Sequence, residues 1–169
     1  MKFFLIIAIS IIIVTVQVAI FPHFDIFGAR LNLLLSICVA WAICEKEKKI
    51  SWYILIFALL LDLLVGEPFG LITLSIWLVF IFIKWLGSFL FRQSGFVSVA
   101  ALSIIGISFY KLIYFVFYKL AGIIKIEELR LSWSDFYPSL PIFVLLNSLL
   151  CIFALWIFRR NKSFIDEIF

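Results

Sequence analysis

Residues 59–71 read LLLDLLVGEPFGL. An apolar run is interrupted once, by Asp62, and stops at Gly66. Gly-Glu-Pro-Phe-Gly then makes a turn, and apolar residues resume at Leu71. Proline and glycine end one helix, and a linker this short forces the next helix to run back antiparallel. The stretch therefore reads as a hairpin of two apolar helices, with a carboxylate just inside the turn.

The rest of the chain has the same character. Of 169 residues, 66% are hydrophobic and 14% charged, little over half the ~25% charge usual in soluble domains. A mean hydropathy of +1.27 is incompatible with a surface that faces water throughout. The class is all-α: a polytopic membrane protein forming a six-helix bundle over a single domain, residues 1–169. Apolar stretches predict helices over residues 3–21, 31–44, 50–65, 69–91, 95–120 and 140–158. The second and third are short for full spans. They need partners, little tilt or residues borrowed from their loops.

Orientation follows from Lys and Arg beside the helix ends. With the N-terminus inside, Lys2, Lys46, Lys48, Lys49, Arg92, Arg159, Arg160 and Lys162 are cytoplasmic, against Arg30, Lys119, Lys125 and Arg130 outside. Both termini are then cytoplasmic, and the Gly66–Gly70 turn faces outward. The net charge of +4 is explained by this bias and requires no nucleic acid. The N-terminal apolar run exceeds the ~7–15 residues of a signal-peptide core, and no small-residue cleavage site follows it. It reads as a retained helix.

Cys38, Cys44 and Cys151 lie in apolar segments without zinc-like spacing and read as small buried side chains. Residues 121–139 form the one long connection. Ile123, Ile126, Leu129 and Trp133 favour a short interfacial amphipathic helix, while alternation through Leu129, Leu131 and Trp133 fits a strand. Ser139 and Pro141 suit the start of the sixth helix. Ser94, Ser98, Ala101 and Ser108, with Gly106 nearby, make a small-residue stripe on the fifth. It suits close packing within the chain or across a dimer.

Polar groups inside the membrane need a reason, since a central charge costs at least ~2.5–3.5 kcal/mol. Lys84, about 12 Å from the inner end of its helix, is placed to snorkel. Lys111, about 14 Å deep, lies near the midplane and calls for a partner or a wet cavity. Asp62 lies about 5 Å and Asn147 about 10 Å below the outer face, and Asn32 sits at the outer start of its helix. Asn32, Asp62, Lys111 and Asn147 are thus four polar residues on four helices, all in the outer half, and are expected to gather into one cluster. Asp62 is expected either to bond amides at the turn or to pair with Lys111, with Arg30 as the next partner.

The sequence offers no catalytic set. The single histidine, His23, stands beside Asp25 in a loop, which makes neither a metal site nor a triad. No phosphate-binding glycine loop follows a strand. No cofactor, catalytic residue or metal ligand is expected. A lipid phosphotransferase would need acidic clusters to hold its metal, and the sequence shows none.

The quoted stretch resembles the signature of the rod shape-determining protein MreD family, D-L-L-x-G-x-P-x-G-L. Asp62, Gly66, Pro68 and Gly70 match it position by position. RLNLLLSICVAW from Arg30 is similar to the family's P-N-L-L-L segment, with Leu31 where proline is common. LPIFVLLNSLL from Leu140 is similar to its last helix, with Pro141 and Asn147. Ile72 and Thr73 replace a frequent His-Ala pair. The resemblance implies a non-enzymatic scaffold subunit of the elongation machinery in the inner membrane. Its direct partner would be MreC; MreB, RodA and a class B penicillin-binding protein would be indirect partners. It leaves a homo-oligomer open. It also implies a fold similar to the substrate-binding subunits of energy-coupling-factor vitamin transporters, which makes such a subunit the alternative function. Those subunits dock through an Ala-x-x-x-Ala motif in helix one. Here Ala8 and Ala19 form no such pair.

Overall fold

The six apolar stretches become six helices: α1 (Lys2–Ala19), α2 (Leu33–Cys44), α3 (Ile50–Val65), α4 (Leu71–Leu90), α5 (Phe96–Ile123) and α6 (Trp133–Arg160). The computed structural model describes residues 2–23, 25–26, 28–44, 50–65, 70–90, 96–123 and 133–161. Among the described residues, three helices contain stretches long and apolar enough to cross a membrane: Leu71–Ser88, Val97–Ile123 and Ser139–Arg160. The chain is therefore read as a multi-pass membrane protein.

The shortest helix explains itself by position. At 12 residues, α2 is about 18 Å long, well under a ~30 Å hydrocarbon core. It packs against α6, α4 and α5, and less extensively against α1 and α3, so it is surrounded by the other five helices. Eight of its residues, including Leu34, Leu35, Val39 and Trp41, are buried. A helix sheathed by protein need not match the bilayer. Around it α3 packs on α4, α4 on α5, α5 on α6, and α1 against α3. One apolar core draws on all six, with Val14, Leu35, Ile54, Ile76, Ile107 and Cys151 among its members.

Two boundaries differ from expectation by three residues or more. Helix α6 starts at Trp133, seven residues before the expected 140, and takes in Pro138 and Pro141. Neither proline falls in the first turn, so each removes one i→i−4 backbone bond from the first half of α6, which continues through both. Helix α5 runs on to Ile123, three residues past the expected end. The remainder of the 121–139 connection, residues 124–132, lies outside the described residues, and so does the choice between amphipathic helix and strand there.

The α1–α2 connection has structure that apolar periodicity does not reveal. A 3-10 turn at Phe21–His23 leads into a two-stranded antiparallel ladder, β1 (Asp25–Ile26) with β2 (Ala29–Arg30), in which Asp25 faces Arg30. Gly28, at φ +76°, takes the left-handed conformation that reverses the chain.

The small-residue stripe of α5 is used at Gly106 for internal packing. A Cβ there would overlap the side chain of Ile83 on α4 and touch Val39 of α2. Cys38 and Cys151 are buried as expected. Cys44 is exposed, because it is the last residue of α2 and lies beyond the surrounding helices.

Candidate functional site: two helix caps and the cavity between them

Helix α4 begins at a residue with no side chain. Gly70, at φ +92°, accepts the Leu74 N–H in 2.9 Å through its carbonyl and so occupies the cap position. Glycine cannot bond the unpaired N–H groups of the first turn, and in a membrane each such group costs several kcal/mol. Asp62, one helix earlier, does so instead. Its Oδ1 accepts the Ile72 N–H at 2.9 Å, and its Oδ2 accepts the Thr73 N–H at 2.9 Å and the Thr73 hydroxyl. The carboxylate is 2% exposed, and its negative charge stands at the positive end of the α4 dipole. The apolar run carries an aspartate because the helix after the turn cannot cap itself.

Of the two roles expected for Asp62, amide bonding is the one found, in place of the Asp62–Lys111 ion pair. Between α5 and α6, Lys111 Nζ lies 4.7 Å from the centroid of the Phe143 ring. Its charge is held against the electron-rich face of an aromatic ring. Lys84, expected to snorkel, lies over Phe80 on its own helix at 4.9 Å.

The second cap is built from three helices. Asn32 precedes α2, and its Oδ1 accepts the Leu35 N–H at 2.9 Å, a side-chain N-cap. The Asn32 N–H donates to Asn147 Oδ1 of α6 at 2.6 Å. The Leu33 N–H donates to Gln17 Oε1 of α1 at 2.6 Å, and Gln17 Nε2 donates to the Leu31 carbonyl at 3.2 Å. The Ser36 hydroxyl bonds the carbonyls of Asn32 and Asn147 at 3.0 and 3.1 Å. Asn147 Nδ2 closes the network on the carbonyls of Phe143 at 2.9 Å and Arg30 at 3.4 Å. Asn147 and Ser36 are both fully buried.

The expected single cluster is therefore divided. Asn32 and Asn147 meet, Asp62 belongs to the α3–α4 hairpin, and Lys111 stands elsewhere, on the wall of a cavity. Of the turn residues, Gly70 is in place, and Gly66 and Pro68 lie outside the described residues. The sequence reading passes over Gln17, Ser36 and Thr73, which bond in the two caps. Gln17 is nevertheless visible as the one amide in the first helix.

Between the two caps lies a cavity of about 560 Å³. Its walls are the C-terminal ends of α1 and α3, the N-terminal ends of α2 and α4, the second half of α5 and the start of α6, all at one end of the bundle. Arg30 and Lys111 line it, with the amides of Gln17 and Asn32, the rings of Tyr110, Tyr114 and Phe143, and the aliphatic side chains of Leu61, Leu64 and Ile72. The chain matches no family model, no curated protein and no solved structure. What the site does must be argued from its own chemistry: two buried caps hold helix ends together, and a basic, partly aromatic hollow is left between them.

Proposed function

We propose that this chain is a non-enzymatic scaffold subunit of a bacterial cell-elongation complex, of the MreD kind, in the inner membrane with both termini cytoplasmic. In this reading it binds MreC directly. Through MreC it connects to MreB, RodA and a class B penicillin-binding protein, and so helps direct lateral peptidoglycan synthesis. The supporting observation is that Asp62 and Gly70, two residues of the D-L-L-x-G-x-P-x-G-L resemblance, act as one device. The glycine starts α4 in a conformation that leaves its first amides bare, and the aspartate binds those amides. A motif so spaced ties the end of α3 to the start of α4, and a fixed pair of helices suits a subunit whose work is to hold a partner.

The test is co-purification in mild detergent with tagged MreC. Retention through size exclusion at a fixed ratio is the expected result. Failure to retain MreC when both are co-expressed would overturn the reading. The cavity favours one alternative, a substrate-binding subunit similar to those of energy-coupling-factor vitamin transporters. Against it stands the missing Ala-x-x-x-Ala pair in α1. Nanomolar binding of riboflavin, thiamine or biotin to the purified protein would replace the scaffold reading with the carrier one.

A further inference from the structure

At the cavity end of the bundle the helices do not stop at one height. Gln17 and Asn147 bond the Leu33 and Asn32 amides, so the last turn of α1 and the first turn of α2 lie level with Asn147 of α6. The β1–β2 ladder between them meets the same stretch of α6. Asn147 Nδ2 donates to the Arg30 carbonyl at 3.4 Å, and a Cβ built on Gly28 would lie 3.9 Å from that of Ser139. Helix α6 starts at Trp133, so about 21 Å of it stands above Asn147 at 1.5 Å per residue. Helix α5 rises beside it. Lys111 lies over Phe143, and α5 continues to Ile123, about 18 Å further. Val116, Leu120 and Ile123 on that extension are exposed and apolar. Lys119, also exposed, stands about 12 Å above Lys111, where its charge suits the headgroup level.

A flat bilayer fits neither side. Levelled with the end of α1, it leaves the apolar extension of α5 in water. Levelled with Lys119, it sinks the β1–β2 ladder in hydrocarbon. His23, Gly28 and Arg30 are exposed there, and irregular backbone at membrane depth has to be sheathed by protein or meet water. Tilt absorbs little of the difference. The apolar stretch Val97–Ile123 is about 40 Å long and still spans about 38 Å at the usual ~20° tilt, against about 27 Å for the whole of α1.

We infer that the bilayer meets this chain at two heights. At the cavity end the leaflet is thinned beside α1, by roughly 10–15 Å from the helix rises above, and keeps its full thickness along α5 and α6. The partner is a lipid surface, and the shape of the bundle fixes where it bends. Headgroups and water descend to the end of α1 and the β1–β2 ladder. Acyl chains stay against Leu112 of α5 and Leu145 of α6, which stand at about that height and are exposed, at 54% and 60%. Bilayers accommodate mismatch of this kind by thinning locally.

The experiment is nitroxide accessibility by electron paramagnetic resonance, on the purified full chain in dioleoyl phosphatidylcholine nanodiscs. Cys44→Ser removes the exposed thiol, and Cys38 and Cys151 are buried. Single labels are attached at Ile20→Cys, Leu112→Cys and Leu145→Cys, all exposed positions of about one height. The label at position 20 is expected to collide mainly with an aqueous nickel chelate. Labels at 112 and 145 are expected to collide mainly with lipid-dissolved oxygen, with a nickel-to-oxygen ratio several-fold lower. Three labels equally shielded from nickel mean a flat, thick bilayer, and three equally exposed to it mean a flat, thin one. Either result overturns the inference. His23→Cys, at another exposed position, repeats the measurement if Ile20→Cys fails to fold. The nanodisc holds no second protein and reads the lipid alone, so loss of MreC binding would leave the inference standing.

Discussion

A buried carboxylate in a membrane helix is explained here by backbone amides and not by a counter-charge. Asp62 accepts from two amides and one hydroxyl of α4, and hydrogen bonds to an ionised group are worth ~1.5–3 kcal/mol each. Asp62→Ala is therefore expected to cost about 3 kcal/mol, with Asp62→Asn less damaging because one acceptor oxygen survives. Thr73→Val should cost about 1–2 kcal/mol, and combining it with Asp62→Ala should cost less than the sum, since both remove the same bond. Lys111→Met combined with Asp62→Ala should instead be additive within ~0.5 kcal/mol. Thermal unfolding of these variants and of Lys111→Met alone, six in all, in one detergent measures all of this. Strong coupling between Asp62 and Lys111, with none to Thr73, would contradict the capping geometry.

Among the helices, α2 depends most on its neighbours. Its first turn is secured by Gln17 from α1 and Asn147 from α6. Asn147→Leu preserves bulk but leaves the Asn32 N–H without its acceptor and removes the 3.5 Å contact of the Ser36 hydroxyl with Asn147 Oδ1, while its bond to the Asn147 backbone carbonyl remains. A loss of about 2–3 kcal/mol is expected, more than for the half-buried Gln17→Leu, which removes the acceptor of the Leu33 N–H and the donor to the Leu31 carbonyl. The α4–α5 contact makes a different prediction. Gly106→Ala places a methyl group against Ile83, and overpacking of this kind costs ~1–3 kcal/mol. In an Ile83→Ala background the same change should be nearly neutral, because the space has been vacated. If Gly106→Ala is equally harmful in both backgrounds, the strain lies elsewhere than in the α4–α5 interface.

For the molecule as a whole, the native cysteines provide a topology test. Cys38 and Cys151 are buried and Cys44 is exposed at the end of α2, beside the basic 45–49 linker. A membrane-impermeant maleimide should label Cys44 alone in the detergent-solubilised protein. In intact spheroplasts it should label Cys44 only after permeabilisation, if the linker lies inside as the distribution of Lys and Arg predicts. In a background lacking the native cysteines, Glu67→Cys should be labelled without permeabilisation. The reverse pattern at the two positions would invert the bundle and place the cavity on the cytoplasmic face.

Hydropathy and linker length alone determined the membrane class, the number of helices and most of their ends, because burying backbone in lipid demands long apolar helices whatever surrounds them. The α3–α4 hairpin was legible for the same local reason: the residues that stop one helix and start the next are adjacent in the chain. Packing order was not legible, since nearly uniform hydrophobicity leaves a helix no polar face to mark its outside. The central position of α2 emerged only in three dimensions. Partners for Asp62, Asn32 and Asn147 were also beyond the sequence. Depth in the membrane was estimated well enough to place all four polar residues toward one end, but depth says nothing about azimuth. Only the tertiary structure decided that Asp62 turns to the bare amides of α4, that Asn147 reaches across to α2, and that Arg30 and Lys111 meet at a hollow, because each depends on which helix faces which across distances of up to 117 residues in the chain.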